Sequence, residues 1–439
     1  MKIIWDKRRS FFGELILLLL VFSEINGQTA KLRHSTVITL PVDEETQDFR
    51  IGLDLLIDDN FHALDNYKFM VIADRNSFAQ GNKYIFDIVN IRLGTRCRSC
   101  VQVLDDRSLL TGSGFQLSQS QLYGITKYYI LNSERDRLSA SMLNGAEMIV
   151  LDLQDFGLRE SEALRILIEA LKFSAKQKIP IIVLDRPNPL RGVEIGGPVS
   201  IQSKFAADFS LPARHGMTLG ELALLMNEEN WLNAGDKSQL TVIKMANYYR
   251  DMAWQQTGLK WSFADESVQD EETAVLYAGL YFFQFTNISV GTGTPHPFHV
   301  VGAPWMSANE LVDALAKYDL AGVEISQVKF IPRRELYASE MPLYLDTECL
   351  GINLKVSDLN KFDSYKFSTT LISVISRLYP KHFKWIKTTE ADAYFGNADF
   401  RTWVNIGADL NPMLADWEAK ASRFQKLRLK YCLYPVQKN

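Results

Sequence analysis

The stretch "KIPIIVLDRPNPLRG", residues Lys178–Gly192, decides the fold. Ile179, Ile181, Ile182, Val183 and Leu184 form a near-continuous apolar run. Such a run is expected of a parallel strand covered on both faces. It ends in Asp185, Arg186 and Asn188, set around Pro187 and Pro189. The chain therefore leaves its core through a rigid turn dense in hydrogen-bonding groups.

Working outward, the same texture repeats. Upstream, "ALRILIEALKFSAKQ" places Leu164, Leu167, Ile168 and Leu171 on one helical face and leads straight into the strand. From Lys68 to about Trp261, "KFMVIAD", the amphipathic "NKYIFDIVNIR", "VQVLDD" and "EMIVLDLQDFG" continue an alternation of strand and helix. The alternation predicts an α/β fold, a Rossmann-like doubly wound parallel sheet. Four strands end in Asp74, Asp105, Asp152 and Asp185. Ligands of open parallel sheets bind outside the carboxyl ends of the strands, so four polar ends point to a site. For Asp185 alone, a turn cap paired with Arg186 would be the simpler expectation.

"LPARHGMTLGELALLM" supplies another wall. Thr218 and Glu221 have capping-box spacing, with Met217 and Leu222 as a hydrophobic staple, so a helix starts at Leu219. Arg214 and His215 precede its positive end, a position suited to a carboxylate. Beyond about residue 263 the pattern shifts. "FFQFTNISVGTGTPHPFHVVGAPW" is rich in Gly, Thr, Pro and aromatics, "VEISQVKFIP" and "CLGINLKVSD" read as strands, and "KFSTTLISVISRLYP" and "ASRFQKLRLKYCLYP" read as helices. A second, smaller α+β domain is expected there. Gly291-Thr292-Gly293 is followed by Pro295 where a dinucleotide site needs a helix, which speaks against a nucleotide cofactor.

The 439 residues suffice for two domains, and the net charge of −4 leaves no basic excess for nucleic acid. Lys2, Lys7, Arg8 and Arg9, then "FFGELILLLLVF", then Gly27 follow signal-peptide order, and Leu15–Phe22 is short for a bilayer span. The expected organisation is a signal peptide at 1–27, a Rossmann-like domain at 28–262 and an α+β domain at 263–439. The mature protein is expected to be exported, periplasmic or secreted, without stable membrane insertion. Cys97 and Cys100 form one C-x-x-C without a second, so no metal site is expected; a local disulfide stays open.

"VLDLQDFGLR", "VLDRPNPLRG", "GGPV", "LPARHGMTLGELA", "TNISVGTGTPHPFHVVGAPW" and "FQKLRLKYCLYP" resemble the NamZ-type exo-β-N-acetylmuramidases, in matching order from about Gly52 to Pro435. The resemblance implies a cleft between the two domains that removes terminal N-acetylmuramic acid from peptidoglycan fragments, with no cofactor. On its motifs, Gln154, Arg159, Asp185, Arg186, Asn188, Arg214, His215, Asn287 and Thr292 become substrate-binding candidates, with Arg214 and His215 facing the lactyl carboxylate of the sugar. The chain departs from the family pattern where a Glu-His-Gly motif ends the second strand: Asp106, Arg107 and Ser108 stand there. Asp74, Arg75 and Asn76 replace Asn-Gln-Thr. Glu160, Ser161, Glu162 and Ala163 replace an aromatic stretch. Gln284 and Phe285 stand where a glutamate precedes the Thr-Asn pair, and Val290 and Thr292 replace Glu and Arg. Glycoside hydrolysis normally needs two carboxyl groups. Asp106 and Asp155 are the catalytic candidates, with Glu160 a further carboxyl. Two expectations follow: an exported glycosidase of altered specificity, or a relative that binds cell-wall amino sugar without cutting it. Oligomeric state and stereochemical course are not legible.

Overall fold

The chain is described by a computed structural model covering residues 29–41, 48–104, 127–132, 136–202, 207–232, 237–261, 267–334 and 341–437. The expected signal peptide, Asp105, Asp106, Arg107, Ser108 and the 262/263 boundary lie outside these residues.

β1 (Thr29–Lys31) and β2 (Ser35–Ile38) form a hairpin. β3 (Phe69–Ala73), β4 (Cys97–Leu104), β5 (Tyr128–Asn132), β6 (Met148–Asp152) and β7 (Ile181–Leu184) follow. β8 (Gly196–Gln202) and β9 (Ala207–Arg214) make a separate antiparallel pair, and β10 (Leu240–Ile243) returns to the main sheet. That sheet runs β1-β2-β10-β7-β6-β3-β4-β5, parallel throughout except at β1. Every residue of β3, β6 and β7 is buried, because helices cover both faces of the sheet; this is why these strands read as unbroken apolar runs. Helix Glu162–Gln177 buries Leu164, Leu167, Ile168 and Leu171 as its periodicity requires.

From β3 the chain steps outward to β4 and β5, then crosses back to β6 on the other side of β3 and continues to β7 and β10. The strand order therefore reverses between β3 and β6, which opens a crevice at their carboxyl ends.

The second unit is a three-stranded antiparallel sheet, ordered β11 (Val300–Ala303), β13 (Cys349–Val356), β12 (Val323–Phe330). Helices Glu271–Leu280, Ala308–Leu315 and Ser364–Leu378 pack with it. The two cores are not divided along the sequence. Phe424, Tyr431, Leu433 and Tyr434 pack into the core of the parallel sheet, whereas Leu158, Leu190 and Ala213 belong to the second core. The terminal "LRLKYCLYP" is only partly helical: helix Asn411–Arg428 ends within it, and the tail then lies against the first domain.

Cys97 and Cys100 are buried free thiols with their sulfurs 3.6 Å apart. Burial pushes the Cys100 thiol well above its ordinary range. No described helix is long and apolar enough to cross a membrane.

Candidate active site

Three strand ends meet at the switch point. After β3, Asp74 closes a tight turn: its Oδ1 accepts from the Asn76 amide at 2.7 Å, and its own amide donates to Ser77 Oγ at 3.0 Å. Ser77 Oγ donates to the Asp152 carbonyl at 2.6 Å, which clamps the ends of β3 and β6 together. Asp74 Oδ2 accepts from the Gln154 amide at 2.9 Å. Burial pushes the Asp74 carboxyl up to about 6, against the opposing pull of the Gln154 amide and Arg186.

Asp185 and Arg186 are both buried, and the turn does not simply cap itself. Arg186 pairs with Asp152, Nε to Oδ1 at 2.6 Å and Nη2 to Oδ2 at 2.8 Å, and Nη2 also donates to the Phe78 carbonyl at 3.0 Å. Asp185 instead accepts from Thr218 Oγ1 at 2.7 Å, the Gly220 amide at 2.8 Å and Tyr434 Oη at 2.5 Å. It thus ties β7 to the start of helix Leu219–Glu228 and to the C-terminal tail. Burial pushes its carboxyl up to about 7, opposed by the Tyr434 and Thr218 hydroxyls. The capping box is formed as the spacing required: the Glu221 amide donates to Thr218 Oγ1 at 3.2 Å, and the Thr218 amide to Glu221 Oε2 at 3.1 Å.

Asn188 accepts from the Leu190 amide at 2.9 Å and donates to the Met217 carbonyl at 2.9 Å. Gln154 Nε2 donates to the Pro187 carbonyl at 2.9 Å. Arg159, with none of its surface exposed, donates to the Pro198, Leu211 and Tyr394 carbonyls and pairs with Glu160 at 3.0 Å. Asn287 holds residues 382–384, donating to the His382 carbonyl at 2.8 Å and accepting from the Lys384 amide at 2.7 Å. Arg159, Asp185, Arg186, Asn188 and Asn287 thus spend these polar groups on the protein itself, where they hold the loops around the strand ends. Thr292 stands on a turn flanked by Gly291 and Gly293, both at positive φ. The edge contacts Phe156–Tyr277 (5.3 Å) and Tyr277–Phe298 (5.0 Å) carry the end of that turn toward the end of β6.

Arg214 and His215 do not share a partner. As neighbours on an extended segment they project to opposite sides. Arg214 turns outward to Glu194 and the Leu190 carbonyl. His215 turns inward, its Nε2 3.2 Å from Asp155 Oδ2. The two adjacent residues thus have different partners, one at Glu194 and the other at Asp155. His215 Nδ1 accepts from the Met217 amide at 3.2 Å, so the neutral ring carries its proton on Nε2, facing Asp155. Asp155 Oδ2 accepts from the Gly157 amide at 2.9 Å. Asp155 Oδ1 and His215 Nε2 are nevertheless buried without an aligned hydrogen bond. Unsatisfied buried polar atoms are rare and call for a functional account.

Asp74 was legible only as a strand end. Its role depends on the β3–β6 reversal, and no local signal marked it out from the other three aspartates.

A reversal of strand order, with a buried acid of raised pKa and an Asp–His pair just beyond the strand ends, places the chain among open α/β proteins with a ligand crevice at the carboxyl ends of the strands. Comparison with known proteins narrows the class. Residues 112–271 match the family model for the N-terminal part of exo-beta-N-acetylmuramidase NamZ, and residues 275–434 match that for its C-terminal part. The peptidoglycan beta-N-acetylmuramidase NamZ of Bacillus subtilis is 32% identical over 308 residues, 70% of this chain and 72% of the relative. The chain belongs to the NamZ family. Two DUF1343 family proteins of Bacteroides fragilis share the fold, with TM-scores of 0.79 and 0.70 at 23% and 24% identity; each comparison covers 89% of this chain and 100% of the other.

Proposed function

We propose that this chain is an exported glycosidase that removes terminal N-acetylmuramic acid from peptidoglycan fragments at the β3–β6 crevice. The observation that carries the reading is the buried Asp155–His215 pair with two unsatisfied atoms at the switch point. Family membership supports the substrate class. Asp74 donates the proton to the leaving glycosidic oxygen as the C1–O bond breaks. A pKa raised to about 6 suits that role, because a general acid must keep its proton near the working pH. Asp155, oriented by the Gly157 amide and His215, faces the positive charge that develops at C1. It takes a proton from the water whose hydroxyl completes the sugar, so one carboxyl loses a proton and the other gains one.

A second reading, binding without hydrolysis, is favoured by Asp106-Arg107 at the family's Glu-His position. Shortening a carboxylate by one C–C bond withdraws it by about 1.5 Å, and a misplacement of about 1 Å can cost ~10²-fold in rate. Release of the chromophore from a chromogenic muramic-acid glycoside, measured beside a binding titration with muramic acid, separates the readings. Slow turnover abolished by Asp155→Asn supports the glycosidase. Binding with no turnover, restored by Asp106→Glu with Arg107→His, supports the second reading. Export is tested by N-terminal sequencing of secreted protein, expected to begin near Gln28; an intact Met1 on cytoplasmic protein overturns it.

A further inference from the structure

On the far side of β9 from His215 lies a cleft of about 1120 Å³, bounded by the β8–β9 pair and by helices Ser364–Leu378 and Asn411–Arg428. The proposed glycosidase chemistry uses none of it. Its volume exceeds the upper end of ordinary small-molecule pockets, roughly 1,000 Å³, so it has room for an extended ligand.

The floor is built from Arg214 and Glu194. Arg214 is 6% exposed, and its Nε is buried without a partner. Its carboxylate partner Glu194 stays 40% exposed in its side chain and is open to a second donor. The flat wall beside them is the Gly196-Gly197 pair of the "GGPV" motif. A Cβ at Gly197 would fall 2.5 Å from the Tyr365 ring, so the motif keeps side chains out of this wall.

The two helical walls differ in sign. Lys361, Lys366 and Arg377 line one of them. Lys361 pairs with Asp358, and Arg377 donates to Tyr318 Oη at 2.7 Å. Asp363, on the same wall, caps its helix and keeps its charge, so this wall carries three cations against one carboxylate. Lys366 remains without an ion-pair partner among the described residues. Across the cleft, Asp409 and Glu418 have no ion-pair partner among the described residues either, although Asp409 Oδ1 accepts from the Asn411 amide at 3.1 Å. A net positive wall facing a net negative one disfavours a simple anion such as a phosphate. It equally disfavours a simple cation. A ligand carrying both charges, separated along its length, satisfies both walls.

We propose that this cleft binds a short zwitterionic peptide, its carboxylate toward Lys366 and its ammonium group toward Asp409 and Glu418. The site goes beyond the glycosidase reading and does not depend on it.

The test is calorimetric titration of the full chain with trialanine, N-acetyl-trialanine and trialanine amide, with the disaccharide chitobiose as the sugar control. Trialanine binds, and loss of either end charge weakens binding roughly fivefold, the scale of one partly solvated ion pair. Lys366→Glu weakens trialanine binding by a similar factor, and adding Glu418→Lys to it restores binding, the peptide then lying in the reverse direction. All variants keep the wild-type rate on the chromogenic glycoside, which separates failure here from failure of the glycosidase reading. Equal binding of the blocked and free peptides overturns the proposal. Chitobiose binding with the same sensitivity to Lys366→Glu also overturns it, as does absence of heat with unblocked tri- and tetrapeptides at ~10 mM.

Discussion

Arg186→Met puts the reading of the strand ends at risk. Arg186 and Asp152 are 3% and 0% exposed in their side chains and meet through two short parallel contacts. Removing one partner leaves a buried, uncompensated carboxylate and is expected to cost about 3–5 kcal/mol. The unfolding entropy is near 2.1 cal/mol/K per residue, so the roughly 360 described residues carry ~0.8 kcal/mol/K. The expected fall in Tm is therefore roughly 4–6 °C. Arg186→Met with Asp152→Leu removes both charges at similar volume and is expected to recover most of the loss, because an apolar replacement of a buried pair is often neutral. Differential scanning calorimetry of the two single variants and the double variant closes the cycle, and a muramic acid titration runs beside it. If Arg186→Met melts like the wild type while sugar binding falls more than tenfold, Arg186 is a substrate contact and the framework role assigned to it is wrong.

Three further outcomes follow from the geometry. Gly157→Ala should destabilise by about 1–3 kcal/mol, a loss visible in urea unfolding, because φ is +88° and the new Cβ would lie 2.4 Å from Asn188 Oδ1. Tyr434→Phe should cost about 1.5–3 kcal/mol by removing a hydroxyl that donates to the buried Asp185, with glycosidase turnover at the optimum retained; an unchanged urea midpoint refutes the tail's clamping role. Asp74 and Asp185 have folded pKa values above the ordinary carboxylate range, so protonation favours the folded state. Their contribution is complete below about pH 4 and is lost as the pH rises through about 6 and about 7, and Asp74→Asn should flatten the lower part of that fall in Tm against pH. If Asp74 is the proton donor, activity falls over the same window, and a rate constant across pH 5–8 refutes that role.

The parallel sheet was written in the sequence because burial on both faces leaves a local mark. Runs such as Ile181–Leu184 and Met148–Asp152 have no polar face to interrupt them. The start of helix Leu219–Glu228 was equally legible, since its capping box lies within four residues. β1 and β2 went unread because strands of three and four residues give too short a pattern, and they take their place only by pairing with each other and with β10. What only the tertiary structure decided was the partner of each polar group. Asp185 stands next to Arg186 in the chain, yet Arg186 reaches Asp152 and Asp185 reaches Tyr434, far along the sequence. Arg214 and His215 are adjacent, yet the alternation of an extended backbone sends one to a surface cleft and the other to Asp155. Local pattern records which residues must be buried, because burial is a property of each residue's own surroundings. Pairing is a property of two places brought together by the order of the strands, and that order is set by the packing of the whole sheet.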